Sequence, residues 1–136
     1  MMAEQNQGSQ GGDSGDFSHE IIGAAVEVQR VLGTGLAEDI YAAALAIELA
    51  EREIGFARDV PVTASYKGRA LGDVCRADFV VEQAVVVQVR AVDSLDDLHR
   101  AQAQAAVRLS GHRLGLLINF NVFPVVKGVH RIGAKA

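Results

Sequence analysis

Only one cysteine, Cys75, stands in the whole chain. That excludes an intrachain disulfide and any zinc site built from several cysteines. His99 and His112 have no zinc-ligand spacing with acids or cysteine, which leaves them as surface or capping residues. Long apolar runs are missing as well, since none approaches the roughly 20 residues of a membrane helix. The N-terminus lacks the basic-then-apolar pattern of a secretory signal. The expectation is a cytoplasmic protein that makes no membrane contact. There is no GxxxxGK phosphate loop and no internal repeat, and "GTG" (Gly33 to Gly35) reads as a helix break. Acids are also absent from the last part of the chain: none follows Asp97.

Against these absences stands an ordinary globular balance. The chain has 136 residues, 49% hydrophobic and 22% charged, enough for one domain around one core. Its charge is divided. Residues 1–97 carry a net of −10, whereas residues 98–136 hold Arg100, Arg108, Arg113, Lys127, Arg131 and Lys135, a net of +6. Such a split fits a basic face for nucleic acid, a dipolar subunit that stacks on its neighbours, or a solvated surface.

Periodicity supplies the elements. The stretch before Phe17 is mostly Gly, Ser, Gln and Asn with three acids. Residues 1–17 are therefore expected as a disordered tail ahead of a single domain at 18–136. Ser18 is the expected N-cap of a helix to Leu32, with Ile21, Ile22, Ala25, Val28 and Leu32 at helical spacing. A second helix is predicted over 37–52, with Tyr41, Leu45 and Leu49 on one stripe. The period then falls to two at Val60, Val62, Ala64 and Tyr66, and "YKGR" reads as a turn. Strands are predicted at Cys75–Glu82 and Ala84–Val92, a helix at Leu95–Ser110, a buried strand at Leu114–Phe120 and an edge strand at Val129–Ile132. The order α-α-β-β-β-α-β-β predicts an α/β (α+β) mixed sheet flanked by helices.

One strand carries the chemistry. "VVVQVRAV" (Val85 to Val92) is apolar except for Gln88 and Arg90, two apart and so on one face. If it pairs with the preceding strand as an antiparallel neighbour, Asp78 falls opposite both. Strand alternation also puts Asp78 on one face with Val80. A self-satisfied Arg–Asp pair with an amide beside it is one reading, and a functional polar site the other.

"GLAEDIY" (Gly35 to Tyr41) matches a GxxExxY pattern, followed in order by "YKGRALGDVCRADFVVE", "VVVQVRAV", "HRAQ" and "LGLLINFNV". Together these resemble the GxxExxY protein family, a branch of the PD-(D/E)XK nuclease-like superfamily. The resemblance implies a sheet flanked by helices and a Mg²⁺-dependent phosphodiesterase site. It matches Glu38 to the acid on the helix before the core and Asp78 to the metal-binding aspartate. Gln88 falls at the second metal-binding acid, Arg90 at the catalytic lysine and Gln102 at the glutamine of the following helix. Ala106 stands where relatives often carry tyrosine.

Both central positions of that strand are changed. Mg²⁺ prefers carboxylate oxygens, and an amide brings no charge. Arginine stabilises charge but does not deprotonate, so it cannot act as a general base. Metal binding at Asp78 and Gln88 is thus expected to be weak or absent, with no cofactor unless the site is active with Mg²⁺. Arg90 is expected to pair with Asp78 or Glu38 instead. The reading is an impaired nuclease-fold protein with a nucleic-acid-binding or assembly role. For nucleic acid the expected contacts are Arg100 and Arg108 on one helix face, extended by Arg113, Lys127 and Arg131. The alternatives are an active Mg²⁺-dependent DNA or RNA nuclease and a self-assembling structural subunit.

Overall fold

The computed structural model describes residues 16–133. Most of the expected tail, residues 1–15, lies outside the described residues. The elements are α1 (Ser18–Leu32), α2 (Glu38–Glu51), β1 (Phe56–Tyr66), β2 (Arg69–Val81), β3 (Val85–Arg90), α3 (Asp97–Ser110), β4 (Leu114–Asn119), a short 3₁₀ turn (Val125–Gly128) and β5 (Val129–Gly133). The five strands form one sheet in the order β1-β2-β3-β4-β5. β3 and β4 run parallel and every other pair is antiparallel. This is the expected mixed sheet with the expected element order. Among the described residues no helix is long and apolar enough to cross a membrane.

The sheet is the middle of three layers. Helices α1 and α2 bury Ile21, Ala25, Val28, Tyr41, Leu45 and Leu49 against one face, on Phe79, Val87, Leu116 and Ile118. Helix α3 covers the other face, where Ala106 and Val107 meet Val62, Ala77 and Val86. It serves as the crossover that a parallel β3–β4 pair requires. Its start is fixed by a reciprocal cap: Asp96 Oδ1 accepts from the His99 N–H, and His99 Nδ1 accepts from the Asp96 N–H. Gly111, at φ +82°, ends it. Cys75 is half-buried at the margin of this layer, and burial pushes its thiol pKa up.

Three expectations need correction. Ser18 is not the N-cap of α1 but its first helical residue, preceded by Phe17 at φ +69°. The capping oxygen comes from Asp16, which accepts from the Ser18 N–H at 2.9 Å. β2 starts at Arg69, not at Cys75, because Lys67 and Gly68 both take positive φ and fold the chain straight back on β1. Register shifts between Val62 and Thr63 and between Ala64 and Ser65 leave Val74 and Leu71 unpaired, which breaks the alternation that would have announced the strand. Strand alternation also fails at Asp78. Phe79 and Phe56 face α1 and α2, whereas Ala77, Val60 and Val62 face α3. The faces exchange where Asp59, at φ +53°, lies opposite Asp78. Asp78 is therefore not on Val80's side but lines a cleft with Glu38, Asp39 and Ala42 of α2.

β1 is an outer strand, and Pro61 sits within it opposite Arg76. On the α1 side, Gln29 is almost fully buried and holds the end of β4. It donates from Nε2 to the carbonyls of Phe120 (3.0 Å) and Val122 (2.6 Å) and accepts from the Val125 N–H at 2.8 Å.

Gly115 lets β4 run close beneath α3. A Cβ there would collide with a Val107 methyl and lie 3.2 Å from the Val86 carbonyl. Gly115→Ala is expected to cost about 1–3 kcal/mol through overpacking. Urea unfolding should show a lower midpoint with an unchanged slope.

Candidate functional site

The ladder between β2 and β3 stops at Phe79 and Val87. Beyond it the strands part, and side chains fill the gap. Gln88 Oε1 accepts from the Asp78 N–H at 2.8 Å, and Gln88 Nε2 donates to the Arg76 carbonyl at 3.0 Å. Asp78 Oδ2 accepts from the Val89 N–H at 2.8 Å. Gln88 thus stands in for a stretch of neighbouring backbone, offering one acceptor and one donor where a ladder would have offered the same. Asp78 and Gln88 are both buried, and these bonds satisfy them.

The carboxylate of Asp78 is surrounded by cations. Oδ1 accepts from Arg76 Nη2 at 3.1 Å, and Oδ2 from Arg90 Nη1 at 3.2 Å. Arg90 Nη1 also donates to the Val89 carbonyl at 2.6 Å and lies 3.8 Å from Glu38 Oε2. Arg90 is the last residue of β3, where β2 no longer flanks it, so its guanidinium can turn toward the N-terminus of α2. Arg76 is shared with Asp59 at 3.6 Å. The result is a cleft of about 230 Å³ lined by residues including Glu38, Asp59, Asp78, Arg58 and Arg76.

Gly35, Glu38 and Tyr41 set the position of α2. Gly35 takes φ +97°, where a side chain would be strained, and donates its N–H to Asn121 Oδ1 at 3.0 Å. Tyr41 is fully buried, as expected of a core residue, with its ring stacked on Phe120 at 4.9 Å. Its hydroxyl donates to the Gly33 carbonyl and accepts from the Leu36 N–H. The Gly35–Asn121 bond and the Tyr41–Phe120 stack tie the start of α2 to the end of β4. Asn119 ties that end of β4 to the exit of β3 instead, bonding both backbone groups of Val92.

Glu38, Asp78, Gln88 and Arg90 are therefore brought together. Gln102 is not: it is exposed on α3 and makes none of the bonds that join the other four. Ala106 is buried against the sheet. The basic residues do not share one face. Arg100 and Arg108 are exposed on α3, and Arg113 precedes β4 at the sheet's end. Lys127 is exposed on the 3₁₀ turn, whose Val125 packs in the α1–α2 layer. Arg131 turns to the start of α1, donating to Ser18 Oγ and Asp16 Oδ2, both at 2.8 Å. Its strand does lie beside α3, but Ile132 is the neighbour that points there.

The donor set does not fit a magnesium ion. Both oxygens of Asp78 are engaged by N–H donors, and the amide oxygen of Gln88 points at backbone. Among the described residues no group of three His, Cys, Asp or Glu side chains converges. The sequence offered no sign of Gln29, Asn119 or Asn121. Gln29 is a lone amide on an apolar helix stripe, and such an amide is the only signal a sequence can give of a buried clamp.

Two outcomes are expected here. Arg90→Ala should cost about 1–3 kcal/mol, because it removes the more buried of the two cations at a buried carboxylate and leaves Arg76. Gln88→Glu should cost about 1–3 kcal/mol at neutral pH, since a carboxylate cannot donate to the Arg76 carbonyl and stands beside Asp78. Folding raises the pKa of the introduced carboxyl, so the loss is full above its folded pKa and relieved as the pH falls toward the unfolded value. Denaturation at pH 7 and pH 4 checks both.

A second pH effect belongs to Arg131. Burial raises the Asp16 pKa, but hydrogen bonds from Ser18 and Arg131 outweigh it and hold the carboxyl below its ordinary value. Its stabilising effect is complete above the unfolded pKa and lost as pH falls through the folded one. Both side chains are partly exposed, so Asp16→Asn should cost less than about 1 kcal/mol at pH 7 and nothing at pH 2. Thermal melts across that range measure it.

A family model described as the PD-(D/E)XK nuclease superfamily matches residues 15–132. No curated protein and no solved structure matches the chain.

Proposed function

The chain belongs to the PD-(D/E)XK nuclease superfamily, and we propose that it is a GxxExxY-type member whose site has exchanged its metal for an arginine. The observation that carries this reading is Arg90. Its guanidinium lies between the carboxylates of Asp78, at 3.2 Å, and Glu38, at 3.8 Å. These are the two acids that resemblance assigns to the site. A fixed cation there neutralises them as a metal ion would, but it carries no water to activate and has no exchangeable ligand position. A guanidinium is not a general base in proteins, so the exchanged residue does not supply one.

Each changed position supports the other. With Arg90 in place, a second carboxylate at position 88 is not needed for charge balance, and the amide of Gln88 can be used wholly to bridge the parted strands. We infer a cytoplasmic protein in which residues 18–136 act as one domain behind a polar tail of residues 1–17. The fold is kept as a binding or assembly scaffold, and no hydrolytic step is assigned to it. Arg100 and Arg108 remain the contacts for nucleic acid under the binding form of this reading, with affinity drawn from phosphates and a steep salt dependence.

Calorimetric titration with Mg²⁺ and Mn²⁺, run beside a cleavage assay on single- and double-stranded DNA and RNA, tests the reading. No saturable binding at physiological Mg²⁺ and no cleavage are expected. A tight site in the native protein that disappears in Asp78→Ala, or metal-dependent cleavage abolished by the same change, would return the protein to the active nucleases.

A further inference from the structure

Helix α2 has the composition of a helix covered on every side, but only one side is covered. Its sequence, EDIYAAALAIELAE, contains acids and apolar residues and nothing else. Tyr41, Ala42, Leu45 and Leu49 fill the core. The opposite side carries a second apolar row, formed by Leu36 just before the helix, Ile40, Ala43, Ile47 and Ala50. Their steps of four, three, four and three residues are the spacing of a helix–helix seam. All five are exposed, Ile40 at 47% and Ile47 at 62%. An apolar helix face left in water marks a contact surface. Asp39 and Glu51 flank the row, each roughly 60° from its centre on opposite sides.

The charge around this row identifies its partner. Residues 18–53, which hold α1 and α2, carry seven acids against two arginines, a net of −5. A second copy of the same face would bring like charge to like. The outer side of α3 has the complementary character. Leu98, Ala101, Ala105 and Leu109 form a row there, with Leu98 63% and Leu109 42% exposed. Arg108 borders that row, about 65° from its centre, whereas Arg100 lies about 145° round, toward the sheet. Of the basic residues after Leu98, only Arg100 and Arg108 lie on this helix. Asp96 and Asp97 stand at the start of α3, and Asp96 is already engaged in the cap with His99. The two rows lie on opposite sides of the sheet, one in each helix layer.

We infer that α2 of one copy docks on α3 of a second copy, apolar row on apolar row, with Arg108 meeting one of the flanking acids, Asp39 or Glu51. The contact is head to tail. Each subunit uses a different face toward each neighbour, so the assembly grows into a ring or a filament and does not stop at a twofold dimer. Nucleic acid is the competing partner for the α3 arginines, but it leaves the apolar row on α2 uncovered. The inference rests on the assembly form of the function proposed above. Metal binding would sink that reading and leave the size measurement standing.

Sedimentation and light scattering of the full chain at low ionic strength provide the test, with circular dichroism to confirm folding. The native protein should form species larger than one chain, and salt should weaken them. Ile47→Glu blocks one face and Leu109→Glu the other, so each alone should be monomeric. Mixed together, they should form a dimer with one copy of each and nothing larger, since each retains the face the other has lost. Ile47→Ala and Leu109→Ala disturb folding less and should each weaken association on the order of tenfold, the equivalent of about two buried methylenes. A native protein that stays monomeric at every concentration overturns the inference. So does Leu109→Glu assembling like the native chain, which would mean that α2 pairs with itself. So does a monomer that retains DNA or RNA oligonucleotides through Arg100 and Arg108.

Discussion

Two strands of this sheet separate in its interior, and the fold depends on how the gap is closed. Opening a ladder exposes backbone donors and acceptors in a place where water cannot reach all of them, which costs more than the bonds themselves were worth. Asp78 and Gln88 meet that demand with side chains. Once a carboxylate is buried to do so it needs a cation, and Arg90 and Arg76 supply the charge. The polar cluster follows from the geometry of the gap. What is specific to this chain is that the cluster balances itself: four of the five side chains that resemblance assigns to the site, Glu38, Asp78, Gln88 and Arg90, are occupied in holding β2, β3 and α2 together.

The site's approach to α2 has a similar logic. Glu38 reaches Arg90 only because the loop before it is pinned, by Gly35 on Asn121 and by Tyr41 on Phe120 and Gly33. Glycine, acid and tyrosine, spaced three apart, each contact the same end of the sheet. A pattern that names a family is in this case also a description of how one helix is registered against one strand. The acid in it can be kept for that reason alone, whether or not a reaction is catalysed.

Much of this was legible in the sequence because local signals agreed with the fold. Period-3.6 apolar rows gave the three helices, and the spacing of Gln88 and Arg90 opposite Asp78 gave the centre of the site. The failures have physical causes. The front half of β2 was hidden because Val74 and Leu71 bulge out of register, and a bulge erases the alternation that a strand is recognised by. The side on which Asp78 lies was misjudged because Asp59 turns left-handed and exchanges the faces of two strands together. The basic stretch read as one surface because charge was counted along the chain. In space Arg131 is drawn to Asp16 and Lys127 rides on the α1 layer, so only Arg100 and Arg108 share a helix. Gln29 reaches residues 91 to 96 positions away, a separation at which sequence carries no local signal.

Pro61 has a consequence of another kind. The outer border of β1 is a row of backbone groups with no strand beside it, the feature by which unrelated chains add on to one another as aggregates. Proline has no amide hydrogen to give, and it interrupts that row near its middle. Two residues earlier Asp59 bends the same strand out of the flat shape that an incoming chain would need. A protein with apolar rows on two of its helices is exposed to unwanted association on several sides. At this border the chain denies other chains a template, so the partners it does accept must come through side chains.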